Sequence, residues 1–198
     1  WSRDGNYLIY NSAGKLYKFD LKGKKPVEIN TGFATSNNND HGVSYDGKTL
    51  AISHHTKENG KRHSIIYTVP VEGGTPKRIT ENGPSYWHGW SPDGGTLAYV
   101  GKRDGGPFAL YTCPVHGRAE TCVTDAFDHI DGPDYTPDGA WIWFNGERDG
   151  AVDLWRIRPD GTGLQQMTDD AAVNWFPHPS PDGAHVLYVA YPVGTKGH

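Results

Sequence analysis

Residues 90–100, WSPDGGTLAYV, decide the reading of the whole chain. An apolar strand ending at Trp90 meets Ser91-Pro92-Asp93-Gly94, and a second strand starts at once with Thr96, Leu97, Ala98, Tyr99 and Val100. Proline presets φ for a turn, the aspartate carboxylate caps it, and glycine accepts a positive φ. The segment is therefore a hairpin. The same Asp-Gly step returns at Asp4-Gly5, Asp46-Gly47, Asp138-Gly139 and Asp182-Gly183, with spacings of 42, 47, 45 and 44 residues. Self-similarity at that period marks a repeat protein.

Outward from each turn the pattern gives four short strands, A to D. The second unit reads as strands at 41–45, 49–53, 64–69 and 77–80, and the third at 87–90, 96–101, 108–113 and 121–124. The fourth gives 131–135, 141–145, 152–158 and 164–167. The first unit supplies a strand tail at Trp1 and strands at 7–11, 15–20 and 27–30; the fifth supplies only 175–179 and 185–190. No helical period runs long enough to compete. Four strands per repeat of about 44 residues predict an all-β chain, a β-propeller of four-stranded antiparallel blades. The expected blade units are 1–34, 35–80, 81–124, 125–168 and 169–198, all within one propeller domain.

Composition agrees with short strands and turns: Gly 26, Pro 14, Met 1, and 12% aromatic residues. A net charge of −4 with scattered Lys and Arg argues against nucleic acid as a partner. No apolar run approaches the roughly 18–20 residues of a membrane span. The chain starts at Trp1 in mid-pattern, which is the expectation for a mature or trimmed product. Cys113 and Cys122 flank a turn on adjacent strands. A disulfide, which would suit an oxidising compartment, and two free thiols both stay open.

The residues also resemble a known family. SPDG after an inner strand, Arg-Asp-Gly before the third strand (Arg103-Asp104-Gly105 and Arg148-Asp149-Gly150), then LYTCPVHG or LWRIRPDG, then VT or MT, is similar to the TolB-type propeller repeat. The resemblance covers essentially the whole chain, and the first two turns depart from it only in lacking proline. It implies a ring of six or, in some branches, seven blades, so 198 residues correspond to about 4.5 blades of a six-bladed ring. Such an open arc would carry unpaired strand edges and a tendency to self-associate. The resemblance further implies a periplasmic or secreted protein that binds a peptide, an envelope protein or a glycan. The amino-terminal domain that precedes the propeller in TolB has no counterpart in this sequence, so a role in the Tol system is not carried over.

In an up-and-down meander the A–B turns lie at one end, and the B–C and D–A loops at the other. The A–B turns are short and uniform, which reads as structural. Eight of the ten histidines, His41, His54, His55, His63, His88, His129, His178 and His198, fall in or beside the other set. Six residues before each turn glycine stand His41, His88, Pro133 and Pro177, at the start of strands that line the channel. The expected ligand-binding face is Asp40, His41, Trp87, His88, Asp131, Trp175 and His178. His41, His88 and His178 are candidate ligands for a divalent cation (Mn, Zn or Ca), against the simpler reading that each histidine bonds a neighbouring blade. His54-His55 reads as a solvated loop, and the two Arg-Asp-Gly segments read as repeat-stabilising contacts.

No G-x-S-x-G, Walker loop, H-E-x-x-H or C-x-x-C motif is present. The reading therefore leans to a binding module with no certain cofactor. The alternative is a metal-dependent polysaccharide lyase resembling the oligogalacturonate lyases. There the metal would acidify the proton next to a uronate carboxylate, with His129 as a candidate base.

Overall fold

A computed structural model describes residues 2, 4–117 and 119–195. Trp1 and His198, assigned above to a strand tail and to the histidine-rich face, lie outside the described residues.

Five antiparallel sheets follow one another along the chain. The first holds β1 (Tyr7–Ser12), β2 (Lys15–Asp20) and β3 (Pro26–Ile29). The second holds β4 (Asn37–Val43), β5 (Thr49–Glu58), β6 (Lys61–Pro70) and β7 (Lys77–Arg78). The third holds β8 (Ser85–Trp90), β9 (Thr96–Lys102), β10 (Phe108–Pro114) and β11 (Thr121–Thr124). The fourth holds β12 (His129–Tyr135), β13 (Ile142–Arg148), β14 (Ala151–Ile157) and β15 (Gln165–Gln166). The fifth pairs β16 (Val173–Pro179) with β17 (Val186–Tyr191). Every complete sheet is a sequential meander with no helix, the blade of a propeller.

The A–B turns share one hydrogen-bond network. In the third blade, Ser91 Oγ donates to Asp93 Oδ1 and accepts from Thr96 N, while Asp93 Oδ1 accepts from Gly95 N. Ser44 with Asp46, Thr136 with Asp138 and Ser180 with Asp182 repeat it. The hydroxyl two residues before the aspartate is thus as much a part of the turn as Asp-Gly itself. At the other end of the blades, the B–C hairpins turn on Ala13-Gly14, Asn59-Gly60, Asp104-Gly105 and Asp149-Gly150, all with both φ positive. Two successive left-handed residues make the tight turn whose twist matches paired strands.

Asn59-Gly60 corrects one expectation. β5 and β6 pair in register from Thr49↔Pro70 out to Glu58↔Lys61, so His54 and His55 lie on a strand and not in a solvated loop. His54 is 7% exposed, accepts a hydrogen bond at Nδ1 from Ser36 N, and meets Phe33 and Tyr67 edge-on. The cysteines are both free. β11 sets Cys122 opposite Tyr111, which leaves Cys113 a diagonal neighbour. Diagonal positions are about 7–8 Å apart, beyond the usual reach of a disulfide.

The core lies between blades. Along β5, Leu50 and Ile52 pack toward the first blade with Leu16 and Ile65, while Ala51 packs toward the third with Ile66, Leu97 and Tyr99. Along β9, Ala98 and Val100 pack toward the fourth blade with Leu110, Ile130 and Phe144. Period-two alternation with both faces apolar is what stacked sheets require. The Arg-Asp-Gly arginines are structural: Arg103 stands over Tyr111, and Arg148 over Phe127 and Trp155. Arg103 also joins Glu120, the Ser85 hydroxyl and the Pro84 carbonyl.

Candidate ligand site

Each inner strand is interrupted at the same place. On β4, pairing jumps from Asn37↔His54 to His41↔Ile52, and on β8 from Trp87↔Tyr99 to Gly89↔Ala98. On β12 it jumps from Asp131↔Asn145 to Asp134↔Trp143, and on β16 from Trp175↔Val189 to His178↔Leu187. These bulges leave backbone unpaired and re-aim side chains. Pro133 and Pro177 sit inside two of them, where a residue without an N–H costs no ladder bond.

The preceding blade secures most of these bulges. Asn11 Nδ2 donates to the carbonyls of Asn37 and Asn38, at 2.9 and 2.8 Å. Ser53 Oγ accepts from Trp87 N at 2.8 Å, and Asn145 Oδ1 accepts from Phe176 N at 3.1 Å. Asn11, Ser53 and Asn145 each stand seven residues after their turn aspartate. In the third blade that position is Val100, which has nothing to offer an amide. The Gly132 N–H instead donates to the carboxylate of its neighbour Asp131, at 2.9 Å.

A pocket of about 240 Å3 opens at this junction, lined by Asn38, Asp40, Tyr86, His88, Val100, Phe108, His129, Asp131 and Phe176. Tyr86 and Phe108 lie with centroids 6.0 Å apart, and Phe176 stacks on the His88 ring at 6.3 Å. His129 meets Phe108 edge-on. Asp131 Oδ1 is 2.9 Å from His88 Nε2 but off the axis along which that nitrogen would donate, so the contact is an ion pair and not an aligned hydrogen bond. Burial pulls the His88 imidazolium pKa down, yet Asp131 and then Asp40 outweigh it and the net direction is up. For Asp131, burial raises the pKa and His88 more than reverses this. Burial raises the pKa of Asp40, and repulsion from Asp131 adds to it, while Asn38 Nδ2 donates to its carboxylate at 2.5 Å. Two carboxylates therefore share one imidazole.

The expected face is divided. Asp40, His88 and Asp131 come together in this pocket with His129. His41, Trp87 and His178 border a second cavity of about 650 Å3 toward the A–B turns, with His88 on the wall between the two. The bulges cause the split, because they turn successive inner-strand residues to opposite ends of the channel. His178 Nδ1 lies 3.1 Å from Asp134 Oδ2, and His41 Nε2 makes a long 3.5 Å contact with the Ile9 carbonyl, so all three histidines face neighbouring blades. Among the described residues no three His, Cys, Asp or Glu side chains converge as metal ligands would. Trp87 and Trp175, expected as ligand platforms, are each 7% exposed. Trp87 lies against Gly42, which has no side chain to obstruct it, and Trp175 packs beside His129 and Phe176. Sequence reasoning did not single out Asn38, Phe108 or Val100. A comparison of the seventh position after each turn would have found Val100.

No family model matches the sequence. An uncharacterised protein of Agrobacterium fabrum is 49% identical over 199 residues, covering 100% of this chain and 67% of the relative. A solved structure from Agrobacterium tumefaciens, described provisionally as TolB, superposes with a TM-score of 0.94 at 48% identity, over 100% of this chain and 70% of the other. The chain belongs to the TolB-like β-propeller family. A TolB homologue of Chlorobium luteolum is 28% identical over 66% of this chain and 29% of its own length. The chain thus spans about two thirds of the Agrobacterium relative and under a third of the Chlorobium one. TolB of Acinetobacter baumannii (TM-score 0.76, 21% identity, 96% of this chain and 47% of the other) shares the fold. So does a manganese-bound oligogalacturonate lyase (TM-score 0.70, 18% identity, 98% of this chain and 58% of the other).

Proposed function

We propose that this TolB-like propeller is a binding module of the bacterial envelope, periplasmic or secreted, that receives part of a partner protein between its third and fourth blades. The supporting observation is the pocket itself: open, walled by Tyr86, Phe108 and Phe176, with Asp40, His88 and Asp131 together in its lining. Apolar walls with a few convergent polar groups are the usual make-up of a recognition site. The partner class follows from the family, whose TolB members engage peptides and envelope proteins. The test is capture of a synthetic octapeptide library by the protein and by Phe108→Ala. Retained peptides whose affinity falls about tenfold in Phe108→Ala, with thermal stability little changed, support the reading. Peptides bound equally by both proteins, or none bound by either, overturn it. The lyase alternative draws no support from the geometry, since His41, His88 and His178 are each engaged by a neighbouring blade.

A further inference from the structure

The pocket at the junction of the third and fourth blades is a gap in a repeated construction. Where the seventh residue after the turn is Asn or Ser, its side chain reaches the backbone of the next blade's bulge. At Val100 the reach is missing, the space stays open, and two carboxylates line it. Asp131 has His88 and the Gly132 N–H; Asp40 has only the neutral amide of Asn38 as a direct partner. Among the described residues, every Lys or Arg ion pair lies elsewhere: Lys15 with Glu28, Lys18 with Glu72, Arg78 with Glu58 and Arg103 with Glu120. The pocket therefore carries more negative charge than its own groups neutralise. A charge so placed is costly unless something positive meets it.

The walls say what kind of cation fits. Tyr86, Phe108 and Phe176 present aromatic rings, which attract an organic cation through their π faces and pack against its methylenes. They offer little to a hard metal ion, whose ligands must be several converging oxygens. The volume of about 240 Å3 admits one extended side chain and not an oligosaccharide. Resting on the binding function proposed above, we infer that this pocket takes an alkylammonium group, carried by a lysine side chain of a partner or by a free amine. The ammonium sits between Asp40 and Asp131, and its methylene stem lies along Tyr86 and Phe108.

Calorimetric titration with acetyl-Gly-Lys-Gly-amide and with its norleucine analogue tests this, because norleucine keeps the four-carbon stem and lacks only the terminal ammonium. The lysine peptide is expected to bind at least tenfold more tightly, and Asp40→Asn to remove most of that preference. Val100→Asn, which restores the missing side chain, is expected to weaken lysine-peptide binding at least tenfold. Because Val100 also belongs to the apolar core, the fold is controlled with Asp40→Asn: loss of the lysine preference there at a wild-type melting temperature separates loss of the site from loss of the fold. Competition with n-butylamine and with calcium or manganese chloride identifies the source of the cation. Displacement by butylamine as effective as by the peptide assigns a free amine, and preference for the peptide assigns a partner's lysine. Displacement by the metal salts at lower concentration than by either overturns the inference in favour of a metal site. Norleucine and lysine peptides bound within twofold of each other overturn it while leaving a peptide-binding module in place. No binding of either peptide overturns the inference, and the octapeptide capture then decides separately whether the binding module stands.

Discussion

His88 sits where burial and charge oppose each other, and the charge wins. Its raised native pKa means that the folded chain holds the proton more tightly than the unfolded chain. The stability this supplies is fully present below the ordinary histidine pKa of about 6.5 and is lost as pH rises through the higher native value. Asp131 acts in the opposite sense: its depressed pKa supplies stability present above the ordinary value of about 3.9 and lost as pH falls through the native one. His41, His54 and His55, whose pKa values burial lowers, act against His88 in the same pH range, so the comparison is between proteins. The wild type is expected to exceed Asp131→Asn in urea-unfolding stability by more at pH 5.5 than at pH 8.5. An equal difference at both pH values would remove the pair from the account. The turn hydroxyls make a second prediction at this scale. Ser91→Ala takes an acceptor from Thr96 N and a donor from Asp93, and is expected to cost about 1–2 kcal/mol in denaturant unfolding, with Ser91→Thr close to wild type. The turn carboxylates are acidified by these contacts; that of Asp4 is lowered to about 2, chiefly by Asn6 and then Ser2.

Two glycines separate backbone geometry from crowding at the scale of the strand. Gly60 turns the β5–β6 hairpin at φ 75°, and a Cβ there would meet nothing within 4 Å. Gly60→Ala is thus expected to cost about 1 kcal/mol through left-handed strain alone. Gly42 on β4 has no such strain, but its Cβ would come within 2.2 Å of the Trp87 ring. Gly42→Ala is expected to cost about 1–3 kcal/mol as overpacking and to displace Trp87, read as a change in tryptophan emission. Asn59-Gly60 also shows how an element can be misjudged. Lysines and histidines around it look like a loop, yet an Asn-Gly step is a strong hairpin signal that holds a ten-residue strand on either side.

Between blades, the arc depends on a small number of side-chain to backbone bonds laid over apolar packing. Asn145 is 1% exposed, and its Oδ1 holds the Phe176 N–H of the next blade. Asn145→Ala removes that acceptor, and the loss of one such hydrogen bond costs about 1 kcal/mol. Because Phe176 is also a wall of the ligand pocket, the same substitution is expected to weaken lysine-peptide binding. A stability loss with unchanged affinity would show that Phe176 is held by its packing instead. Asp-Gly spacing was enough to find these sheets in the sequence, because each blade closes through local turns. The division of His41, Trp87 and His178 from Asp40 and Asp131 was not legible, because it depends on bulges set by pairing between strands.

The sequence alone determined the all-β propeller, its strand order and the residue types along the channel, since turn chemistry and period-two alternation act over a few neighbouring residues. It also placed Asp40, His88 and Asp131 near one another, since each stands six to eight residues before its turn glycine. Only the tertiary structure decided that His88 faces Asp131, that the tryptophans are packed away, and that Val100 leaves a cavity. Those outcomes depend on which side chain of one blade reaches the backbone of the next. Residues 26 or more positions apart decide it, and no local pattern records the distance between them.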